Sequence, residues 1–152
     1  MPFINPILNH PYAPPRRHYH TAADGSLDYG RILDGRRRYR PELSALPVGA
    51  EPQGDFGEWL SDDACQAHPI NLLRREVGAW RDSGYQQPAS PTWVTWELLE
   101  FWFDPARQPQ RRLFFAQREA IETAIYLNEI ADKANVGTHL LSLLRAAQNR
   151  RQ

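Results

Sequence analysis

One cysteine, one methionine and one lysine are scattered through 152 residues that carry no net charge. The lone thiol, Cys65, excludes an internal disulfide framework and any zinc site built on several cysteines. Eighteen acidic side chains balance eighteen basic ones. That balance argues against a nucleic-acid binder working through bulk charge, though not against a local patch. No apolar run approaches the roughly twenty residues of a membrane helix. Met1 to Tyr12 carries prolines and no basic residue, which is unlike a secretory leader. These absences predict a soluble, cytoplasmic chain of about one domain, with no membrane partner.

Arginine and proline are abundant instead. Of the basic residues, all but Lys133 are arginine, which codon bias accounts for first and bidentate phosphate or carboxylate contacts second. Eight of the thirteen prolines lie in the first 52 residues, and six of the nine glycines in the first 57. Repeated fixed φ angles and missing donors leave residues 1–57 without a helical stripe, so an extended arm is predicted there. Asp24-Gly25-Ser26 and Asp34-Gly35 are turn signals. Ser26 to Leu33 and Arg38 to Leu46 are the two strand candidates, forming a loose hairpin closed near Asp34-Gly35.

From residue 58 the periodicity becomes helical, and the fold class is mainly α, with about four helices. Pro69 opens the first, Leu73, Val77 and Trp80 line one face, and Gly84 stops it. Thr92 or Thr95 caps the second, which carries Trp96, Leu99 and Phe103 and ends at Pro105. The third runs from about Ala116 to Lys133 with Ile121, Ala124, Ile125 and Ala131 as its apolar stripe and Arg118, Glu119, Glu122 and Glu129 elsewhere. Asn135 and Gly137 break it, and Thr138 caps the last helix. Residues 58–110 thus form a helical region and 111–152 a further segment beyond the Pro/Gln/Arg loop.

Several groups carry chemistry in principle. Arg36, Arg37, Arg38 and Arg40 form the one dense basic cluster, placed after a turn and able to fan toward phosphates. The competing expectation is a soluble strand edge paired with Asp28, Asp34 or Glu42. His18 and His20 share one side of an extended chain, with His10 or Asp24 as a third metal ligand, but partly exposed histidines in a tyrosine-rich arm are the expected outcome. Glu97 with Glu100, and Glu119 with Glu122, have the spacing of acid-base pairs and equally that of solvated helix faces. Trp80, Trp93, Trp96, Phe101, Trp102 and Phe103 exceed what short helices readily bury, which predicts a docking surface for a partner.

The segment Arg111-Arg112-Leu113-Phe114-Phe115-Ala116-Gln117-Arg118-Glu119-Ala120-Ile121-Glu122 resembles the opening of the first motor domain of superfamily two (DEAD/DEAH) helicases. The likeness is greatest to the Res helicase subunit of type III restriction enzymes. Asn5-Pro6-Ile7-Leu8-Asn9, Gly35-Arg36-Arg37, Ile70-Asn71-Leu72-Leu73-Arg74-Arg75 and Trp80-Arg81 look like the same group, in order along the chain. Phe114 stands where many superfamily members have arginine, and Ala116 where an aromatic is common.

The resemblance implies that Gln117 reads adenine in an ATP site, with Phe114 or Phe115 near the base or packing the helix start, and that Arg36 to Arg40 touch DNA. It implies ATP and Mg²⁺ as cofactors of the intact enzyme, with none expected for this chain alone, and DNA and a modification subunit as its partners. No Gly-Lys-Ser or Gly-Lys-Thr loop occurs in these 152 residues, so nothing here cradles a triphosphate. The expectation is an N-terminal fragment of an ATP-dependent DNA helicase and restriction endonuclease subunit, truncated before the phosphate loop and inactive alone. Its exposed aromatics would meet the missing motor or another protein. The alternative is a small self-contained helical protein-protein interaction module, and a metalloenzyme using His10, His18 and His20 is remote.

Overall fold

The computed structural model describes residues 7–21, 26–39, 66–104, 106 and 112–149. Two strands and four α-helices are found there: β1 (Arg17–Thr21), β2 (Leu27–Asp34), α1 (Pro69–Asp82), α2 (Trp93–Phe103), α3 (Phe115–Ile125) and α4 (Asn135–Asn149). No helix among the described residues is long and apolar enough to cross a membrane. The chain divides into two compact units, Met1–Arg37 with Glu100–Arg118, and Arg38–Leu99 with Glu119–Gln152. The dividing points fall inside α2 and α3.

In the first unit, a side chain does the work that proline-rich backbone cannot. Asn9 Oδ1 accepts from the N–H groups of Arg16 (2.8 Å) and Arg17 (3.0 Å), and its Nδ2 donates to the Arg17 carbonyl (2.8 Å). The loop between them is thereby closed in spite of Pro11, Pro14 and Pro15. The chain then enters a two-stranded antiparallel hairpin of β1 and β2. Among the described residues, the pairing found is not the predicted one. Leu27–Asp34 is a strand, but its partner is the preceding segment, and Arg38 and Tyr39 lie outside the sheet. Residues 40–46 and the 22–25 connection lie outside the described residues. Gly35 ends β2 in the left-handed region (φ 86°), with its N–H donating to Arg16 O at 2.7 Å.

The ladder is interrupted. Tyr19 faces Ile32 but His20 faces Asp28, so Tyr29, Gly30 and Arg31 stand outside the register. Asp28 Oδ1 accepts from the Gly30 N–H at 2.9 Å and holds this bulge.

In the second unit, α1 begins where expected. His68 caps it by accepting from the Ile70 N–H at Nδ1 (3.3 Å), and Pro69 occupies a first-turn position. Asn71 grips the backbone of Tyr39 twice, accepting from its N–H (2.9 Å) and donating to its carbonyl (2.7 Å). α2 is capped by Thr92, whose Oγ1 accepts from the Thr95 N–H at 3.4 Å. The core comprises Val77, Trp80, Leu99, Tyr126, Ile130 and Leu140, with α1 packed on α4. Trp80 is fully buried with its indole N–H donating to Ala89 O at 3.1 Å.

Two expectations about the third and fourth helices are corrected. The third helix does not run regularly to Lys133: α3 ends at Ile125 and passes through a π-helical turn, Tyr126–Ile130, and a 3-10 turn, Ala131–Lys133. Its buried face is also rotated. Phe115, Glu122, Tyr126 and Ile130 are buried, whereas Ala124 is exposed and Ile121 and Ile125 are half-buried. Gly137 does not break a helix but lies in the first turn of α4, where an added Cβ would run into the Ala131 carbonyl. Thr138 correspondingly donates to Ala134 O at 3.1 Å and does not cap.

Candidate functional site

The residues singled out for a nucleotide gather at the start of α3, in the first unit. Phe114 precedes the helix, and its N–H donates to Gln117 Oε1 at 2.9 Å. Gln117 occupies the third helical position, from which a glutamine side chain reaches back to the backbone N–H of the cap residue. The helix start is tied down again by the Phe115 N–H, which donates to Pro11 O at 2.8 Å.

The two phenylalanines separate in role. Phe115 is buried, only 8% exposed, and packs the helix start. Phe114 is 49% exposed and stacks on Tyr12, with ring centroids 5.2 Å apart and planes 19° from parallel. The Arg112 guanidinium carbon lies 4.9 Å from the Tyr12 ring centroid, a cation–π distance. His10 stands 5.7 Å from the same ring, and its Nδ1 accepts from the Tyr12 N–H at 3.3 Å. The result is a small aromatic and guanidinium surface beside an exposed amide.

Chemically, that amide retains capacity. A glutamine carbonyl oxygen has two lone pairs and its NH₂ two donors. The bond to Phe114 uses one lone pair. An acceptor and a donor therefore remain side by side, the pairing that complements the N6 donor and N7 acceptor of adenine.

The basic cluster is placed differently. Arg36 and Arg37 follow β2 in the first unit, Arg38 begins the second, and Arg40 lies outside the described residues. His18 is held at Gly35 O through Nδ1 at 3.0 Å, next to this cluster. Among the described residues, no group of three or more His, Cys, Asp or Glu side chains is placed to hold a metal ion. Cys65 is outside the described residues.

Sequence reasoning missed the second unit's buried polar centre. Glu122 is not on a solvated face but fully buried. Arg81 Nε donates to its Oε2 at 2.7 Å, Arg81 Nη2 reaches the same oxygen, and Tyr85 Oη donates to Oε1 at 2.6 Å. Glu119 approaches Arg81 at 3.9 Å. Tyr85 adopts φ 63° directly after Gly84 at φ 67°, and this left-handed pair brings the phenol onto the carboxylate. The signal available was positional: Glu122 is four residues before Tyr126 on the same helix face.

A second carboxylate caps α2. Glu129 accepts from the Thr92 N–H at 2.9 Å and the Thr95 hydroxyl at 2.6 Å, and these bonds hold its pKa below the ordinary carboxylate value. Burial lowers the pKa of His68.

No family model matches this chain, and neither curated proteins nor solved structures yield a match.

Proposed function

We propose that this chain is the N-terminal part of an ATP-dependent DNA helicase and restriction subunit of the Res kind, acting in the cytoplasm, and that Gln117 reads adenine there. The observation that carries this reading is the exposed Gln117 amide at the third position of α3, next to the Tyr12–Phe114 stack. The stack supplies a flat apolar wall, and the amide supplies discrimination between bases. These residues fit the adenine end of ATP. They do not fit its triphosphate or Mg²⁺, because the sequence holds no phosphate-cradling Gly-Lys-Ser or Gly-Lys-Thr loop. Hydrolysis therefore requires a motor beyond these residues, since base contacts alone give no transition-state stabilisation. DNA and a modification subunit are the partners of the intact assembly.

Titrating ATP and GTP into the chain, with the backbone amides of Phe114 and residue 117 followed by NMR, tests the reading. Adenine preference is expected, weakened by Gln117→Glu, which keeps the helix-closing acceptor but loses the donor. Equal shifts with ATP and GTP would refute it, as would ATP turnover that survives Gln117→Ala.

A second reading, a helical interaction module, is favoured by α2. Trp93 is 71% exposed, and Val94 and Leu98 are exposed beside it. Contiguous apolar exposure of this kind marks a docking face. Trp93→Ser would abolish capture of a partner under this reading and leave adenine binding intact.

A further inference from the structure

We propose that the β1–β2 hairpin is a single-stranded nucleic-acid binding finger, with Tyr29 and Arg31, in the bulge of β2, as its principal contacts. This shares with the nucleotide reading only the general class of partner. It has Arg36 and Arg37 in common with the DNA contact that the resemblance implies, but is carried by the hairpin's own Tyr29 and Arg31 and needs neither Gln117 nor ATP.

The hairpin's construction carries the inference. Residues facing each other across an antiparallel pair project to one side of the sheet. Arg17 with Asp34, Tyr19 with Ile32, and Thr21 with Leu27 therefore share a face. Tyr29 joins it, its ring centroid 5.0 Å from that of Tyr19 in an edge-to-face contact. Tyr29 is 50% exposed, and Ile32 and Leu27 are exposed with it. A two-stranded hairpin is marginal in water, so an uncovered aromatic face calls for an occupant.

Charge selects the occupant. Residues 1–37 hold Arg16, Arg17, Arg31, Arg36 and Arg37 against three aspartates, Asp24, Asp28 and Asp34, in a chain that is neutral as a whole. No glutamate and no lysine occurs among them. Arginines on and just after the two strands, in company with the exposed Tyr29 ring, suit a strand that offers both phosphates and unpaired base faces. A duplex offers its phosphates but keeps its base faces stacked, so the rings favour the single strand. The bulge provides the presentation: Asp28 bonded to the Gly30 N–H turns Tyr29 and Arg31 out of the ladder.

The test is fluorescence anisotropy of a labelled oligothymidylate with the full 152-residue chain, across a salt series. Oligothymidylate has no adenine, so failure here and failure of the Gln117 reading are separable. Binding is expected to weaken steeply with salt, and Arg31→Ala with Arg37→Ala to lower the affinity about tenfold and flatten the salt slope. Tyr29→Ala should lower it at least about fivefold with the slope unchanged. Tyr29→Trp keeps a stacking face in place should the alanine variant fail to fold, and is expected to bind as well as the parent. Unlabelled duplex should compete more weakly than single strand. No binding at the lowest salt overturns the proposal and leaves the face to a protein partner. Equal competition by duplex, or full affinity in Tyr29→Ala, overturns the single-strand assignment.

Discussion

Arg81 and Glu122 form a buried ion pair across 41 residues of sequence, with Nε donating to Oε2 at 2.7 Å. Glu122 has no exposure, and the Tyr85 hydroxyl occupies its second oxygen. A carboxylate taken out of water is tolerated only when such partners replace its hydration.

Removing one member of this pair should therefore cost far more than removing both. Glu122→Ala, or Arg81→Ala, is expected to destabilise by about 3–5 kcal/mol, because the remaining charge is stranded. Arg81→Met combined with Glu122→Leu should recover most of that loss. Urea unfolding of Arg81→Met, of Glu122→Leu and of the two combined, read as a mutant cycle, measures the coupling. Near-additive losses would show that the pair is not the organising contact.

Acidification should lower the stability of the second unit in two stages. His68 and Glu129 both have folded-state pKa values below their ordinary 6.5 and 4.5. A depressed folded value means that the unfolded chain takes up the proton first. Each group thus contributes stability that is full above its unfolded pKa and lost as the pH falls through the folded one. The His68 part goes below about pH 6.5 and the Glu129 part below about pH 4.5. Protonation of His68 at Nδ1 also ends its acceptance from Ile70. His68→Asn keeps a capping side chain that does not titrate, and should erase the upper step in a pH series of urea melts. Glu129→Gln should erase the lower contribution.

Tyr126 offers a substitution in the opposite direction. Its hydroxyl is buried and meets no hydrogen-bond partner among the described residues. Burial raises its pKa, and the Glu76 carboxylate raises it further, so the phenol stays neutral. An unsatisfied buried hydroxyl costs about 1–3 kcal/mol. Tyr126→Phe keeps the ring that meets Trp80 edge-to-face at 6.0 Å and should raise the melting temperature. A fall in melting temperature would mean that the hydroxyl is satisfied in solution.

Local signals in the sequence reveal α1 and α2 well. Pro69 and Gly84 bracket one, and Thr92 opens the other, because caps and breakers act within a few residues. The face of α3 is not legible in the same way. Glu119 and Glu122 look solvated until Arg81, far back in the chain, is seen beside them. The hairpin partner is likewise hidden, since Arg17–Thr21 is short, rich in histidine and arginine, and preceded by prolines. Gln117 draws notice in the sequence through a resemblance, whereas its bond to the Phe114 N–H follows only from its place in the first turn. Asn9 gives no sequence warning of its three backbone bonds, because an asparagine near prolines is ordinary loop composition.

The wide turn at Tyr126–Ile130 has a consequence for chain length. Its closing bond runs from the Ala131 N–H to Tyr126 O, one residue further than an α-helical bond reaches. One surplus residue is thus absorbed in the turn, which shifts the angular phase of the residues that follow it by about 100°, until Ala134 in the extended conformation (φ −138°) ends the helical run before α4. That offset lets Ile130 and Ala131 both face inward as neighbours, and lets Gly137 come close beneath the Ala131 carbonyl. Angular phase along this segment is accordingly set by the number of residues as much as by their kind, and a one-residue deletion there would turn Ile130 and Ala131 off the buried face while leaving every side chain chemically intact.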